Sequence, residues 1–163
     1  MKNSMRAVQR IKFSVVLAVA LSMGACANRN LGGGNAIAGA ASPGSAQDFV
    51  INVGDRVFFA DSQTDLAPQA AAILDRQAQW LKAYPSYIFT IEGHADERGT
   101  REYNLALGAR RAQNVRNYLV WRGINSNRVR TISYGKERPV AVCNDETCWS
   151  QNRRAVTVLN ASS

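Results

Sequence analysis

The sequence predicts an α/β domain of the α+β kind, with about four strands in a mixed sheet and two main helices packed on one face. Three observations predict it. Two stretches, from Pro68 to Tyr84 and from about Thr100 to Arg122, space their apolar residues three or four apart, as a half-buried helix does. Four shorter stretches alternate apolar and polar residues or run rich in β-branched types, as strands do. The two kinds of stretch interleave along the chain, which argues for a sheet with helices laid on it. The chain has 163 residues and 46% apolar content, enough for one modest domain with a core, plus appendages.

Residues 1–25 read as a secretory signal. Lys2, Arg6, Arg10 and Lys12 make a charged head. The apolar segment Phe13 to Leu21 is too short to span a bilayer, which takes about 20 residues. Met23-Gly24-Ala25-Cys26 resembles a lipobox, in which the thiol is acylated and the signal is cut just before it. An exposed free thiol near an export site would be a liability, so lipid attachment explains Cys26 better. An N-palmitoyl and an S-diacylglycerol group on Cys26 are the expected covalent additions; no other cofactor is expected. Each buried methylene adds about 0.8 kcal/mol, so two or three chains hold firmly. Ala27 follows; in lipoproteins of this type Asp there marks inner-membrane retention, so Ala implies the outer membrane, with the folded part facing the periplasm. Residues 26–47 are the lipidated N-terminus and a tether rich in Gly, Ala, Ser and Asn, without hydrophobic period.

The folded domain is expected over 48–163. Asp48 to Ala60 contains an alternation, Val57 and Phe59 against Arg56 and Phe58, and reads as the first strand. A turn, Asp61 to Asp65, follows. Pro68 suits the first turn of a helix, where its missing N–H costs nothing. Ala70, Ile73, Leu74, Gln77, Leu81 and Tyr84 trace one face of that helix, and Pro85 stops it. Tyr87, Phe89 and Ile91 alternate with Ile88, Thr90 and Glu92 in a second strand. The second helix ends at Gly123, a suitable C-cap. Val129 to Tyr134 and Arg154 to Asn160 are the third and fourth strands, and strand-helix-strand crossings are expected to be right-handed.

There are 20 Lys and Arg against 12 Asp and Glu, a net charge of +8. Removing the four bases of the signal leaves 16 against 12, or +4. No nucleic-acid partner is expected; the remaining bases favour an acidic or zwitterionic one. Cys143 and Cys148 flank a short loop, and an exported chain meets an oxidising compartment, so a disulfide is expected. So small a loop gains little from chain entropy and mainly fixes local shape. A zinc site would want four ligands, and only His94 is left to help.

The stretch Gly93-His94-Ala95-Asp96-Glu97-Arg98-Gly99-Thr100 leads from a strand into the helix that carries Asn104, Leu107, Gly108, Arg111, Ala112, Val115 and Leu119. This resembles the OmpA-like cell-wall-binding family, an OmpA-like sandwich, whose helix signature has these positions with Ser at the place of Gly108. The loop narrows the likeness to its branch of peptidoglycan-associated lipoproteins, over roughly residues 50–160. The resemblance implies a non-catalytic tether: lipid in the outer membrane, domain on the peptidoglycan. It implies that Asp96 takes the ammonium and Arg111 the carboxylate of meso-diaminopimelate in the stem peptide. An arginine can grip a carboxylate with two parallel N–H bonds, which lysine cannot. Spacing alone puts Asn104, Leu107 and Arg111 on one helical face; that Asp96 folds over it comes from the family. Further partners implied are TolB and the other Tol proteins, with a part in envelope constriction during division.

Secondary candidates complete the site. Ser62 stands where the family has Asp or Asn, and Asp61 where it has Phe. Asn104 either fixes the Asp96 loop or touches ligand; Leu107 floors the pocket; Arg154 adds positive charge. His94, the single histidine, reads as a satisfied structural residue, and Trp80, Trp121 and Trp149 as packing. An enzyme acting on the wall would need a metal set or a nucleophile with its base, and a barrel porin or motor stator would need strands or a membrane helix; the sequence offers neither.

Overall fold

The computed structural model describes residues 41–160. The signal, Cys26 and the tether up to residue 40 lie outside the described residues. Seven main elements follow in order: β1 (Arg56–Phe58), α1 (Pro68–Ala83), β2 (Ile88–His94), α2 (Arg101–Trp121), β3 (Val129–Gly135), α3 (Glu146–Asn152) and β4 (Arg154–Asn160). The four strands form one mixed sheet in the order β1-β4-β2-β3. β4 runs antiparallel to β1 and β2, and β2 runs parallel to β3 with α2 between them in the chain.

The alternation seen in the sequence sets the two faces of the sheet. Val57, Phe89, Ile91 and Val129 are buried with Leu74, Leu81, Val115 and Leu119 of the helices. Ile88, Ile132 and Val158 project from the other face and stay exposed. α1 begins on Pro68 and ends at Tyr84 before Pro85. α2 is capped by Thr100, whose Oγ1 accepts from the Tyr103 N–H. It closes at Gly123 (φ +93°), with Gly123 N–H on Val120 O and Ile124 N–H on Leu119 O. Where α2 crosses β2, Gly108 meets Gly93: a Cβ on Gly93 would overlap the Gly108 carbonyl. A Cβ on Gly108 would lie 2.5 Å from Ser133 Oγ, which donates to Leu105 O of the same helix.

Three expectations are corrected. The first strand does not fill Asp48–Ala60; only Arg56–Phe58 is strand, preceded by a helical turn, Ala46–Asp48, and a wider one, Phe49–Val53. Asp48 is the reason: its carboxylate accepts from Gly44 N–H, Asn52 Nδ2 and Trp80 Nε1, coiling the chain against α1. The tether does not last to Gln47, since Ser45 caps this turn and Gly44 O accepts from the Tyr87 hydroxyl. The Cys143–Cys148 stretch is not all loop. Asp145 caps α3 through Thr147 N–H, and the two cysteines are joined by a disulfide.

Candidate functional site

Two turns and the start of one helix enclose a cleft of about 220 Å³. Asp61 and Ser62 come from the turn after β1, Asp96, Arg98 and Gly99 from the loop after β2, and Tyr103, Asn104 and Leu107 from the first turns of α2. The loop keeps its shape for identifiable reasons. Gly99 takes φ +85°, Asn104 Nδ2 donates to Arg98 O at 2.7 Å, and Lys136 Nζ donates to Gly99 O at 2.7 Å. Ser62 sits at φ +54°, a left-handed conformation that costs a side-chain-bearing residue about 1–2 kcal/mol. Asp and Asn tolerate it better, which gives the family's preference at this turn a backbone cause.

Arg111 holds the two turns together. Its Nε donates to Gln63 O (2.9 Å), Nη1 to His94 O (2.8 Å) and Nη2 to Ala60 O (3.2 Å), with the guanidinium 5.1 Å from the Phe59 ring centroid. The side chain is fully buried. Burial pushes its pKa down to about 10, aided by Arg153 and opposed by Asp96, so it stays charged at neutral pH. Arg111 does not line the cleft: it lies behind its wall, with one N–H of each nitrogen on a backbone carbonyl and two N–H groups left over.

Asp96 does face it. Both carboxylate oxygens are engaged by Arg98, at 2.6 Å from Nη2 and 3.1 Å from the backbone N–H, and Arg153 Nη1 approaches at 3.4 Å. Burial would raise its pKa, but the bonds from Arg98 and Arg153 outweigh that and hold the carboxyl below its usual range. Arg98 also pairs with Asp61 at 3.0 Å and lies 4.3 Å from the centroid of Trp149. Arg153 pairs with Glu146 of α3. The charges therefore alternate in a row: Asp61, Arg98, Asp96, Arg153, Glu146.

Of the residues read from sequence, the fold brings Asp61, Ser62, Asp96, Asn104 and Leu107 into the cleft. Asn104 both fixes the Asp96 loop and lines the space. Arg154 is a correction: it turns away and donates to Arg138 O and Asn152 O. Adjacent residues of an extended chain point to opposite sides, so Arg153 reaches Asp96 and Arg154 cannot. Arg98 and Tyr103 were not singled out; Arg98 is two residues from Asp96 in the motif, and Tyr103 stands four before Leu107 on the same face. His94 is buried as expected but not satisfied, since neither ring nitrogen has a hydrogen bond among the described residues. Burial, then the charges of Arg154 and Arg138, push its pKa from 6.5 down to about 4.

The family model described as OmpA family matches residues 58–154. The chain is 58% identical to a protein named peptidoglycan-associated lipoprotein from Rhizobium meliloti (strain 1021), over 98% of this chain and 94% of that one. A Brucella melitensis protein of the same name is 55% identical over 96% of each. Among solved structures, the peptidoglycan-associated lipoprotein from Burkholderia pseudomallei superposes with a TM-score of 0.63 at 43% identity, covering 65% of this chain and 90% of that one. The C-terminal domain of Helicobacter pylori MotB shares the fold at 21% identity, with a TM-score of 0.62 over 66% and 84%.

Two outcomes follow from this geometry. Arg111→Met keeps the volume but leaves three carbonyls without their donor, so urea unfolding is expected to show a loss of about 3 kcal/mol. The unfolded chain protonates His94 near pH 6.5 and the folded chain only near 4. Between those values the unfolded state binds more protons, so stability falls as pH drops from about 6.5 to about 4. Thermal melts across that window are expected to show a shallower dependence in His94→Gln.

Proposed function

The chain belongs to the OmpA family and, within it, to the peptidoglycan-associated lipoproteins, and from that premise we propose that it tethers the outer membrane to the cell wall without catalysis. Lipid on Cys26 anchors it in the outer membrane, and the domain, facing the periplasm, binds peptidoglycan non-covalently. The observation that carries this reading is the cleft that presents Asp96 and Arg98 to one small space. The side chain of meso-diaminopimelate in the stem peptide ends in an ammonium and a carboxylate. The ammonium goes to Asp96, taking over bonds now made by Arg98. The displaced Arg98, 37% exposed along its side chain, turns to the carboxylate. Arg111 adds fixed positive charge behind the wall of the cleft and has two of its five N–H groups left over. Leu107 supplies the apolar floor, and Ser62 and Asn104 the polar rim. Two charge-assisted pairs of about 1.5–3 kcal/mol each, with that floor, suit a micromolar-class site.

The same reading takes TolB and its Tol partners as proteins that engage this domain, and gives it a part in outer-membrane constriction during division. Support for those roles is the family alone. Among the described residues no helix is long and apolar enough to cross a membrane.

Because Arg111→Ala disturbs the fold, it is a poor test of binding. Asp96→Asn keeps the shape and the Arg98 N–H bond while removing the charge. It is expected to abolish co-sedimentation with purified sacculi and to lower the melting temperature, because Arg98, Arg111 and Arg153 lose a partner charge, while circular dichroism at the assay temperature still shows a folded domain; full retention on sacculi would refute the assignment of the acid. Palmitate labelling is expected to vanish in Cys26→Ala.

A further inference from the structure

A second depression lies at the other end of the same seam between α2 and the loop that follows β1. Asp65 and Leu66 border it from the loop, and Asn114, Asn117, Tyr118 and Trp121 from the helix; its volume is about 330 Å³. Trp121 is 71% exposed, so it is not the packing residue that its type suggests. Its ring is nevertheless held in place. The Arg122 guanidinium stacks 4.7 Å from the indole centroid, and the Tyr118 ring lies 5.6 Å away. Arg122 is itself spent on Asp75 and on the Tyr118 hydroxyl, which also donates to Asp75.

The polar groups around the indole are half-used. Asn114 commits Nδ2 to Thr64 O, which leaves its carbonyl oxygen. Asn117 commits its carbonyl oxygen to Gln113, which leaves its Nδ2. The Asp65 carboxylate makes no ion pair among the described residues. An acceptor, a donor, a carboxylate and an aromatic residue therefore line one space, and among the described residues no lysine or arginine lines it. That set is unsuited to a phosphate or an acidic peptide. With Leu66 as its single aliphatic wall, it also lacks the apolar stripe that a docking helix needs. It suits an uncharged, amphipathic ring bearing hydroxyls.

We propose that this depression is a glycan subsite, which binds a pyranose of an N-acetylated sugar strand by its C–H face on Trp121. The hydroxyl and acetamido groups then meet Asn114, Asn117 and Asp65. The inference rests on the cell-wall reading and deepens it. Trp121 follows Leu107 by 14 residues, nearly four turns, and so stands on the same face of α2 about 21 Å along. The loop that supplies Asp61 and Ser62 to the cleft continues into Asp65 and Leu66 here. One polymer, peptide in the cleft and sugar on the indole, spans both ends.

The test uses the full chain and chitotetraose, a peptide-free tetramer of N-acetylglucosamine, as the probe. Millimolar chitotetraose is expected to shift the indole N–H resonance of Trp121 in the wild type and in Asp96→Asn. Trp121→Phe is expected to keep part of the affinity and Trp121→Ala none. On sacculi Trp121→Ala is expected to be retained roughly three- to tenfold more weakly, the range an aromatic contact contributes. An unmoved Trp121 resonance in the wild type, or sacculus retention of Trp121→Ala equal to wild type, overturns the subsite. Failure of the wild type to sediment with sacculi at all overturns the tether instead, and the chitotetraose result then stands by itself.

Discussion

One guanidinium buried beneath two turns is the constraint on which the site depends. Arg111 projects from the middle of α2, and its three nitrogens fasten carbonyls at Ala60, Gln63 and His94. Those carbonyls belong to the turn after β1 and to the end of β2, segments more than thirty residues apart in sequence. No backbone ladder joins the two there, so without a donor of this reach they would be free to part. A lysine could reach one of them, but its single nitrogen cannot span three separated acceptors. The charge has a cost, visible in the lowered pKa of Arg111, and the neighbouring Asp96 offsets part of it. The acid that faces the cleft thus also steadies the base that shapes it.

The row of alternating charges extends the same logic outward. Asp96 is kept ionised by Arg98 and Arg153, and Arg153 is kept in place by Glu146 at the first turn of α3. The disulfide between Cys143 and Cys148 spans the start of that short helix, whose seven residues would hold poorly alone. A covalent bond at the start of α3 is therefore two ion pairs away from the carboxylate in the cleft. Arg98, by contrast, lies at the half-open end of the row, against Trp149 and Asp61. The row has a buried end and a solvent-facing end.

Much of the fold was legible because its signals are local. Pro68 and Pro85 bracket α1, Gly123 closes α2, and the alternation of Val57 with Phe58 declares which face is covered. What was not legible depends on contacts distant in sequence. Asp48 coils its neighbourhood because Trp80, thirty-two residues on, donates to it; nothing in Asp48–Ala60 itself says so. In the site, Asp96, Asn104 and Leu107 were readable from the loop motif and helical spacing. The inward turn of Arg111 was not, since a charged residue on the cleft-facing stripe reads as a ligand contact unless its carbonyl partners are known. Arg154 was mistaken for its neighbour because the phase of β4 is set by pairing with β1 and β2, which the chain does not announce. Trp121 deceived in the opposite sense: its type suggests the interior, and only the ending of the helix leaves it outside.

The contact between Gly93 and Gly108 acts as a steric stop. It sets how far α2 may sink toward the sheet, and everything measured from that helix inherits the setting. Leu107 adjoins the stop, and Arg111 lies one turn beyond it with three bonds of 2.8–3.2 Å that tolerate little drift. A single methyl group inserted at the crossing would lift the helix like a shim under a ruler. The depth of the cleft is thus calibrated by two hydrogen atoms, where any larger side chain would have stood.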